Sequence, residues 1–228
     1  MKDTEVTIPD TGKPQISAFK DSVSFTVDET KYVFNDRYSF GSKNYPVNVK
    51  KSEVEIPGGK LAAQTGGFYF YGAPDSTLYA AKYEVASKNW EQRFKILFTK
   101  KYKDADLQFK SVLLYPKSHD DIFKTGKYGF AVDLDKENTM DGIAIEVSDN
   151  SIGQPLISMM PGFSILVRPD LKKDIQDNSD FTVTKVEKIA QEQYIIEAKF
   201  ELNLFDKEGK PYRLRNGFLK LKAPVFYN

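Results

Sequence analysis

Hydrophobic and polar residues alternate with a period of two along most of the chain. In the first clear run Val23, Phe25 and Val27 fall on one face, and Ser24 and Thr26 fall on the other. The same alternation returns in later runs, at 68–71, 94–98, 130–134, 143–147, 163–167, 181–183 and 198–204. Alternation of this kind is typical of antiparallel strands that pack one face on a core and expose the other. The pattern therefore predicts an all-β protein.

Short turn motifs separate the alternating runs. The segment 206–209, Asp-Lys-Glu-Gly, predicts a hairpin that Gly209 closes in the left-handed region of backbone space. The dipeptide Asn216-Gly217 predicts a bulge or turn in the returning strand. About a dozen strands at this spacing predict an antiparallel β-sandwich, in which 194–204 is a central strand.

Helix is scarce in the pattern. The best candidate is 118–126, where Ser118 can cap the first turn and Gly126 can end the last, and the alternative is a turn without helix. Residues 170–175 form a weaker candidate. We expect one or two short helical turns.

The domain organisation follows from where the strand pattern begins. Residues 1–15 are polar and interrupted by Pro9, Gly12 and Pro14, which predicts an extended N-terminal tether. Residues 16–228 are expected to form a single sandwich domain, with a candidate sub-boundary near 116–126.

Composition excludes several kinds of chemistry. The 228 residues include no cysteine, which removes disulfides, thiolate metal sites and cysteine nucleophiles. The single histidine, His119, excludes metal sites built on a histidine pair. A net charge of +1 gives no field that would steer the chain to nucleic acid. Gly58-Gly59 and Gly66-Gly67 match no phosphate-binding loop, and no apolar run reaches the length of a membrane helix.

One acidic segment has the spacing of a cation-binding loop. Its acids alternate with other residues, so their side chains could converge on Ca²⁺, and they are Asp133, Asp135, Glu137 and Asp141. The twelfth position counted from Asp133 is Ala144, where a calcium loop of the EF-hand kind has a bidentate acid. The alternative interpretation is a solvated hairpin loop. No other cofactor is expected.

Paired carboxylates are the catalytic groups that this composition permits most easily, because a glycosidase needs only two of them. Three pairs lie close in sequence, and they are Glu53 with Glu55, Asp104 with Asp106, and Asp120 with Asp121. Each lies among lysines, as solvated surface charges do. His119 sits in a predicted surface turn, where it is expected to support a helix start or to be solvated, and no role is assigned to it.

The aromatic segment 66–72 is the strongest candidate for binding. Alternation places Phe68 and Phe70 on one face and Tyr69 and Tyr71 on the other. If the phenylalanines fill the core, the tyrosines project together, as they do on surfaces that bind glycans or proteins. Trp90 is a second candidate. The alternative is ordinary cross-strand packing of aromatic rings.

The C-terminal half resembles a known group of proteins. The strings that carry the resemblance are KYGF at 127–130, DGIAI at 141–145, FTVTKV at 181–186, AKFEL at 198–202 and YRLRNGF at 212–218. They are similar to the closing strands of the secreted β-sandwich lipoproteins of Bacteroidetes. Ala198-Lys199 stands where that pattern has Gly-Thr. The resemblance implies a β-sandwich and a cell-envelope location, and it carries no catalytic residue across because most of these families have no assigned activity.

Together these observations predict a non-catalytic cell-envelope protein, a surface binding or adhesion module for a glycan or a protein. The alternatives are a carboxylate-dependent glycan hydrolase and a purely structural lipoprotein domain. The chain begins Met1-Lys2 without an export leader. We expect a mature lipoprotein, anchored or secreted, whose leader and lipid-bearing cysteine lie upstream of this sequence. Any membrane contact is then through that anchor, and a cytoplasmic protein is the alternative.

Overall fold

The computed structural model describes residues 20–134, 141–161, 173–191 and 193–225, and these residues form an all-β fold. The predicted tether at 1–15 lies outside them. The strands are β1 Ser22–Val27, β2 Thr30–Phe34, β3 Arg37–Pro46, β4 Lys50–Ser52, β5 Leu61–Thr65, β6 Phe68–Tyr71, β7 Ser76–Ala86, β8 Gln92–Lys103, β9 Leu107–Lys110, β10 Leu113–Pro116, β11 Gly126–Lys127, β12 Gly142–Asp149, β13 Leu156–Ile157, β14 Asp180–Ala190, β15 Gln193–Phe205 and β16 Pro211–Pro224. The predicted fold class is confirmed, with more strands than the dozen expected.

Eleven strands belong to one sheet that folds over on itself. Its order is β2-β1-β16-β15-β13-β12-β8-β7-β3, and β14 joins β15 and carries β11. The strand ladders are antiparallel, as the alternation predicts. The short strand β13 pairs with β12 on one side and β15 on the other. The two layers of the sandwich are therefore continuous through β13.

The core lies between the two layers and is rich in aromatic rings. Phe94 on one layer contacts Phe25 and Phe200 on the other, with ring centroids 5.6 and 5.7 Å apart. The Tyr83 hydroxyl donates a hydrogen bond across the layers to the Pro224 carbonyl, at 3.0 Å. Most of the abundant phenylalanine is thus core packing, which is where half-buried sheets place such residues.

The predicted hairpin and bulge are both present. Gly209 has a φ of 85° and donates its N–H to the Asp206 carbonyl at 3.0 Å, which closes the turn between β15 and β16. Asn216 has a φ of 53°, and the register of β16 slips at this point against β15 and against β1. The 194–204 segment lies inside the sheet as part of β15, with β14 and β16 on its two sides.

Of the two alternatives at 118–126, the structure shows turns and no helix, and β11 begins at Gly126. Ile122 and Phe123 are buried, and their N–H groups donate to the His119 carbonyl at 3.1 and 3.3 Å. The core therefore holds the segment in an irregular conformation that buries both side chains. The two short helical turns of the described chain are 3₁₀ helices at Asp104–Asp106 and Lys173–Gln176. The second overlaps the weaker candidate at 170–175, whose first residues lie outside the described ranges.

Two small elements stand outside the main sheet. Strands β9 and β10 form a hairpin, and β4, β6 and β5 form a three-stranded sheet in that order. Among the described residues, no helix is long and apolar enough to cross a membrane.

Candidate ligand-binding cleft

The three-stranded sheet places Lys50 and Tyr71 side by side. Strand β6 is central, and in its ladder with β4 Lys50 lies opposite Tyr71 while Ser52 lies opposite Tyr69. Residues directly opposite each other in an antiparallel pair share a face of the sheet. One face of this sheet therefore carries two tyrosines, a lysine and a hydroxyl group.

Local sequence explains why this sheet forms. Thr65 pairs with Phe68, so that Gly66 and Gly67 alone make the turn between β5 and β6. Both glycines have positive φ, 58° and 77°, as a two-residue type I′ turn requires. The aromatic residues that follow the turn form the short strand β6, and its Phe70 side chain is completely buried.

The tyrosines share a face, as predicted, but they do not both project into solvent. Their rings are stacked with centroids 6.4 Å apart. Tyr71 is only 8% exposed, and its hydroxyl accepts a hydrogen bond from the Ile56 N–H at 2.7 Å. The Ile56–Gly59 loop covers the ring so closely that a Cβ on Gly59 would lie 2.6 Å from a ring carbon. The expectation of an exposed tyrosine platform is therefore corrected, because Tyr71 forms a wall beneath this loop.

Tyr71 borders a surface cleft of about 400 Å³, which we call the Tyr71 cleft. It is lined by Asn48, Lys50, Lys51, Ser52, Ile56, Tyr71, Gly72, Ala73 and Pro74. Its apolar walls are formed by the ring of Tyr71 and by the side chains of Ile56, Ala73 and Pro74. The Asn48 amide and the Lys50 ammonium group offer hydrogen-bond donors. The Ser52 hydroxyl already donates to the Val54 carbonyl at 2.7 Å, and the Lys51 ammonium group lies over the Phe68 ring. A concave apolar site with a few polar groups is the usual form of a small-ligand site.

A partly buried network next to the cleft ties Lys60 to the main sheet. The Lys60 ammonium donates to the Ser76 carbonyl at 2.9 Å and to the Thr77 hydroxyl at 2.8 Å, and it pairs with the Asp104 carboxylate at 2.7 Å. The Ala73 N–H donates to the Val47 carbonyl at 2.6 Å. This last hydrogen bond joins the 46–49 and 72–74 segments, which supply one wall of the cleft.

Trp90 lies far from this cleft. It sits in the turn between β7 and β8 with a φ of 64°, and it is 43% exposed. The cleft adjoins the start of β7 at Ser76, whereas Trp90 follows its end at Ala86. Eleven residues of strand separate them by roughly 35 Å. The structure does not bring the two aromatic candidates together, and a ligand role for Trp90 stays a prediction.

The calcium candidates are only partly within the described residues. Asp133 is fully buried, whereas Asp141 is exposed and accepts a hydrogen bond from the Lys101 N–H at 2.7 Å. Asp135 and Glu137 lie outside the described ranges. Within those ranges no group of three or more acidic, histidine or cysteine side chains could hold a metal ion. Calcium binding by this loop stays a prediction, and titration calorimetry with millimolar Ca²⁺ is its test.

The three carboxylate pairs lie mostly at the surface, as expected from the lysines around them. Glu53 and Glu55 lie in an exposed loop after β4 and not on a strand. Asp104 belongs to the Lys60 network, and Asp106 ends the same 3₁₀ turn. Asp120 accepts a hydrogen bond from the Tyr194 hydroxyl at 2.7 Å, which, with Lys188, lowers the pKa of this carboxyl. Asp121 pairs with Lys124 at 2.9 Å, and this lowers its pKa as well.

His119 is buried, which corrects the expectation of a solvated or helix-supporting side chain. It is 6% exposed and packs edge-on against the Tyr79 ring, with centroids 5.7 Å apart. Burial disfavours the charged imidazolium and lowers the pKa of His119 to about 4. The imidazole is therefore neutral near pH 7.

Sequence reasoning missed most of the residues that shape the cleft. The Pro57-Gly58-Gly59 string was recognisable as a turn, but its position over the Tyr71 ring depends on tertiary packing. Lys50 faces Tyr71 only because of the β4–β6 register, which no local motif encodes.

No family model, curated protein or solved structure matches the chain. The fold and the cleft define the class of protein, an antiparallel β-sandwich that carries a lysine- and tyrosine-lined cleft on an added small sheet. The resemblance to secreted lipoproteins of Bacteroidetes stays a prediction.

Proposed function

We propose that the chain is a non-catalytic binding module of the cell envelope and that it takes up a glycan in the Tyr71 cleft. The observation that carries the proposal is the combination of apolar walls and hydrogen-bond donors in one concave site. A sugar ring presents both C–H surface and hydroxyl groups, so it matches such a lining. The envelope location rests on the sequence resemblance.

The contents of the cleft favour binding over hydrolysis. Glycosidic hydrolysis uses two carboxyl groups about 5–10 Å apart across the bond that is cleaved. Two lysines and no carboxylate are among the residues that line the cleft. The concave shape also favours a glycan over a protein partner, since protein interfaces are larger and flatter.

A matched pair of loop variants tests the binding role. Ile56 lines the cleft and is 48% exposed, whereas Val54 lies in the same loop, is 68% exposed and does not line it. We expect Ile56→Asn to weaken binding of a glycan found on an array by about fivefold, and Val54→Asn to bind like the parent. Tyr71→Ala is a poorer variant, because it removes a buried ring.

Two results would contradict the proposal. If no glycan on the array binds above background, the chain is not a glycan module. If both asparagine variants bind like the parent, the glycan sits elsewhere on the surface. The envelope location is tested separately, by fractionating the native cells and by reading whether the gene encodes an apolar leader ending in cysteine upstream of Lys2.

A further inference from the structure

We propose that the ligand of the Tyr71 cleft is an acidic glycan, whose carboxylate or sulfate group binds the ammonium group of Lys50. This inference rests on the proposed function and adds the chemical class of the ligand. Its basis is the charge inside the cleft, which differs from the charge of the whole chain.

The cleft has a local excess of positive charge. Lys50 and Lys51 both line it, and its lining contains no aspartate or glutamate. The chain as a whole is nearly balanced, with 33 basic and 32 acidic residues. The nearest acids in sequence, Glu53 and Glu55, lie in the exposed loop and are not part of the lining. An anion that enters the cleft therefore meets the ammonium group of Lys50 without meeting a carboxylate.

The ammonium group of Lys50 has no partner among the described residues. Other lysines form ion pairs, such as Lys60 with Asp104 and Lys95 with Glu146, at 2.7 and 2.8 Å. Within the described ranges the Lys50 side chain forms no hydrogen bond or ion pair. Its ammonium group is thus free to bind a ligand without first breaking an internal contact. Binding a ligand there would therefore cost little free energy for breaking contacts within the protein.

The register of the small sheet separates the roles of the two lysines. Lys50 lies opposite Tyr71 and shares the face that carries the tyrosines. Lys51 is the next residue, and its ammonium group lies 3.3 Å from the centre of the Phe68 ring. That cation–π contact holds the Lys51 charge away from the Tyr71 face. Lys50 is therefore the contacting cation, and Lys51 is a control with the same charge one position away.

The shape of the site suits an acidic sugar more than a free anion. Tyr71, Ile56 and Pro74 supply apolar surface beside Lys50. A phosphate or sulfate ion would leave this surface uncovered, whereas a uronic acid or a sulfated sugar would cover it with its ring. The lining also contains Asn48, whose side-chain amide can bind sugar hydroxyls.

The test compares one oligosaccharide in charged and neutral forms. The probes are an oligogalacturonate, its fully methyl-esterified form and a sulfated galactose oligosaccharide, each titrated against the parent protein, Lys50→Met, Lys50→Arg and Lys51→Met. We expect one of the two charged forms to bind at least tenfold more tightly than the ester, because hydrogen bonds to charged groups are the stronger ones. We expect Lys50→Met to lose that preference, and Lys50→Arg and Lys51→Met to keep it.

Each outcome decides one of the two proposals. A preference for the carboxylated or the sulfated arm, lost only in Lys50→Met, supports the inference and identifies the acidic group. Equal binding of acid and ester overturns the inference and leaves glycan binding intact, as does a preference that survives in Lys50→Met. Failure of all three probes together with a blank glycan array overturns the proposed function. Thermal melts monitored by circular dichroism check that the variants are folded, which is expected since Lys50 is exposed.

Discussion

Adding a single methyl group at Gly142 should strongly destabilise the folded protein. It begins β12 with a φ of 136°, a conformation that side chains other than glycine rarely adopt. A Cβ added there would lie 2.6 Å from the carbonyl carbon of Gly129 and closer still to its oxygen. The same carbonyl accepts the Ile143 N–H at 2.8 Å. Gly142→Ala therefore strains the backbone and also displaces a hydrogen-bonded carbonyl group.

The two costs can be added. A residue held in a glycine-only region costs about 1–3 kcal/mol. Leaving a buried hydrogen-bonding group without its partner costs about 1–3 kcal/mol more. We expect Gly142→Ala to lower the free energy of unfolding by about 2–6 kcal/mol. For a domain of this size that corresponds to a fall in melting temperature of roughly 4–24 °C.

Two further glycines separate the contributions. Gly153 has a φ of 76° and open space where a methyl group would lie, so Gly153→Ala should cost only the backbone strain of about 1–2 kcal/mol. Gly129 has an ordinary φ and open space, so Gly129→Ala should change stability by less than about 1 kcal/mol. Urea unfolding followed by circular dichroism measures all three. Equal losses in Gly142→Ala and Gly153→Ala would show that the overlap with Gly129 is relieved at no cost and would refute this reasoning.

The remaining predictions concern the cleft and the buried polar groups. Gly59→Ala should push the loop off the Tyr71 ring and weaken glycan binding. Gly58→Ala, with a φ of 75° and open space, should cost about 1–2 kcal/mol of stability and leave the titrated affinity unchanged. Lys60→Met should lower the free energy of unfolding in urea by about 1–3 kcal/mol, because it strands the acceptors of its ammonium group, and an unchanged midpoint would contradict this. Since the pKa of His119 falls from 6.5 in the unfolded chain to about 4 on folding, its stabilising effect is complete above pH 6.5 and is lost as pH falls towards 4, by up to about 3 kcal/mol. Urea unfolding between pH 7 and 4 should show this slope in the parent, and a His119→Phe variant with the same slope would assign it to other groups.

The strand content could be predicted because it is encoded locally. Alternation identified the faces of β1 and β15, and the turn residues Asp206 and Gly209 located the hairpin between β15 and β16. The helix candidate at 118–126 forms turns for a reason that is not local. Its capping residues favour a helix, but Ile122 and Phe123 are drawn into a core that the local sequence does not reveal. Tertiary packing outweighs a weak propensity in so short a segment.

The candidate site was harder to predict for the same reason. The common face of Tyr69 and Tyr71 follows from alternation and is present. The burial of Tyr71 follows from the loop that ends at Gly59, and its lysine neighbour follows from strand register. Neither is visible in a window of neighbouring residues, because both join parts of the chain that are distant in sequence.

The order of the strands in the sheet determines how late in synthesis the sheet can be fully paired. The hairpin of β1 and β2 is made first, yet it attaches to the sheet through β16, where Val27 pairs with Leu214. At ordinary rates of synthesis this hairpin waits roughly 10–40 seconds for its partner strand. During that interval one edge of β1 has no strand to pair with, although Phe25 can already pack against Phe94 of β8. The earliest of the described strands is thus among the last to be fully paired, and a chain cut short before β16 would keep an open strand edge with which other chains could pair.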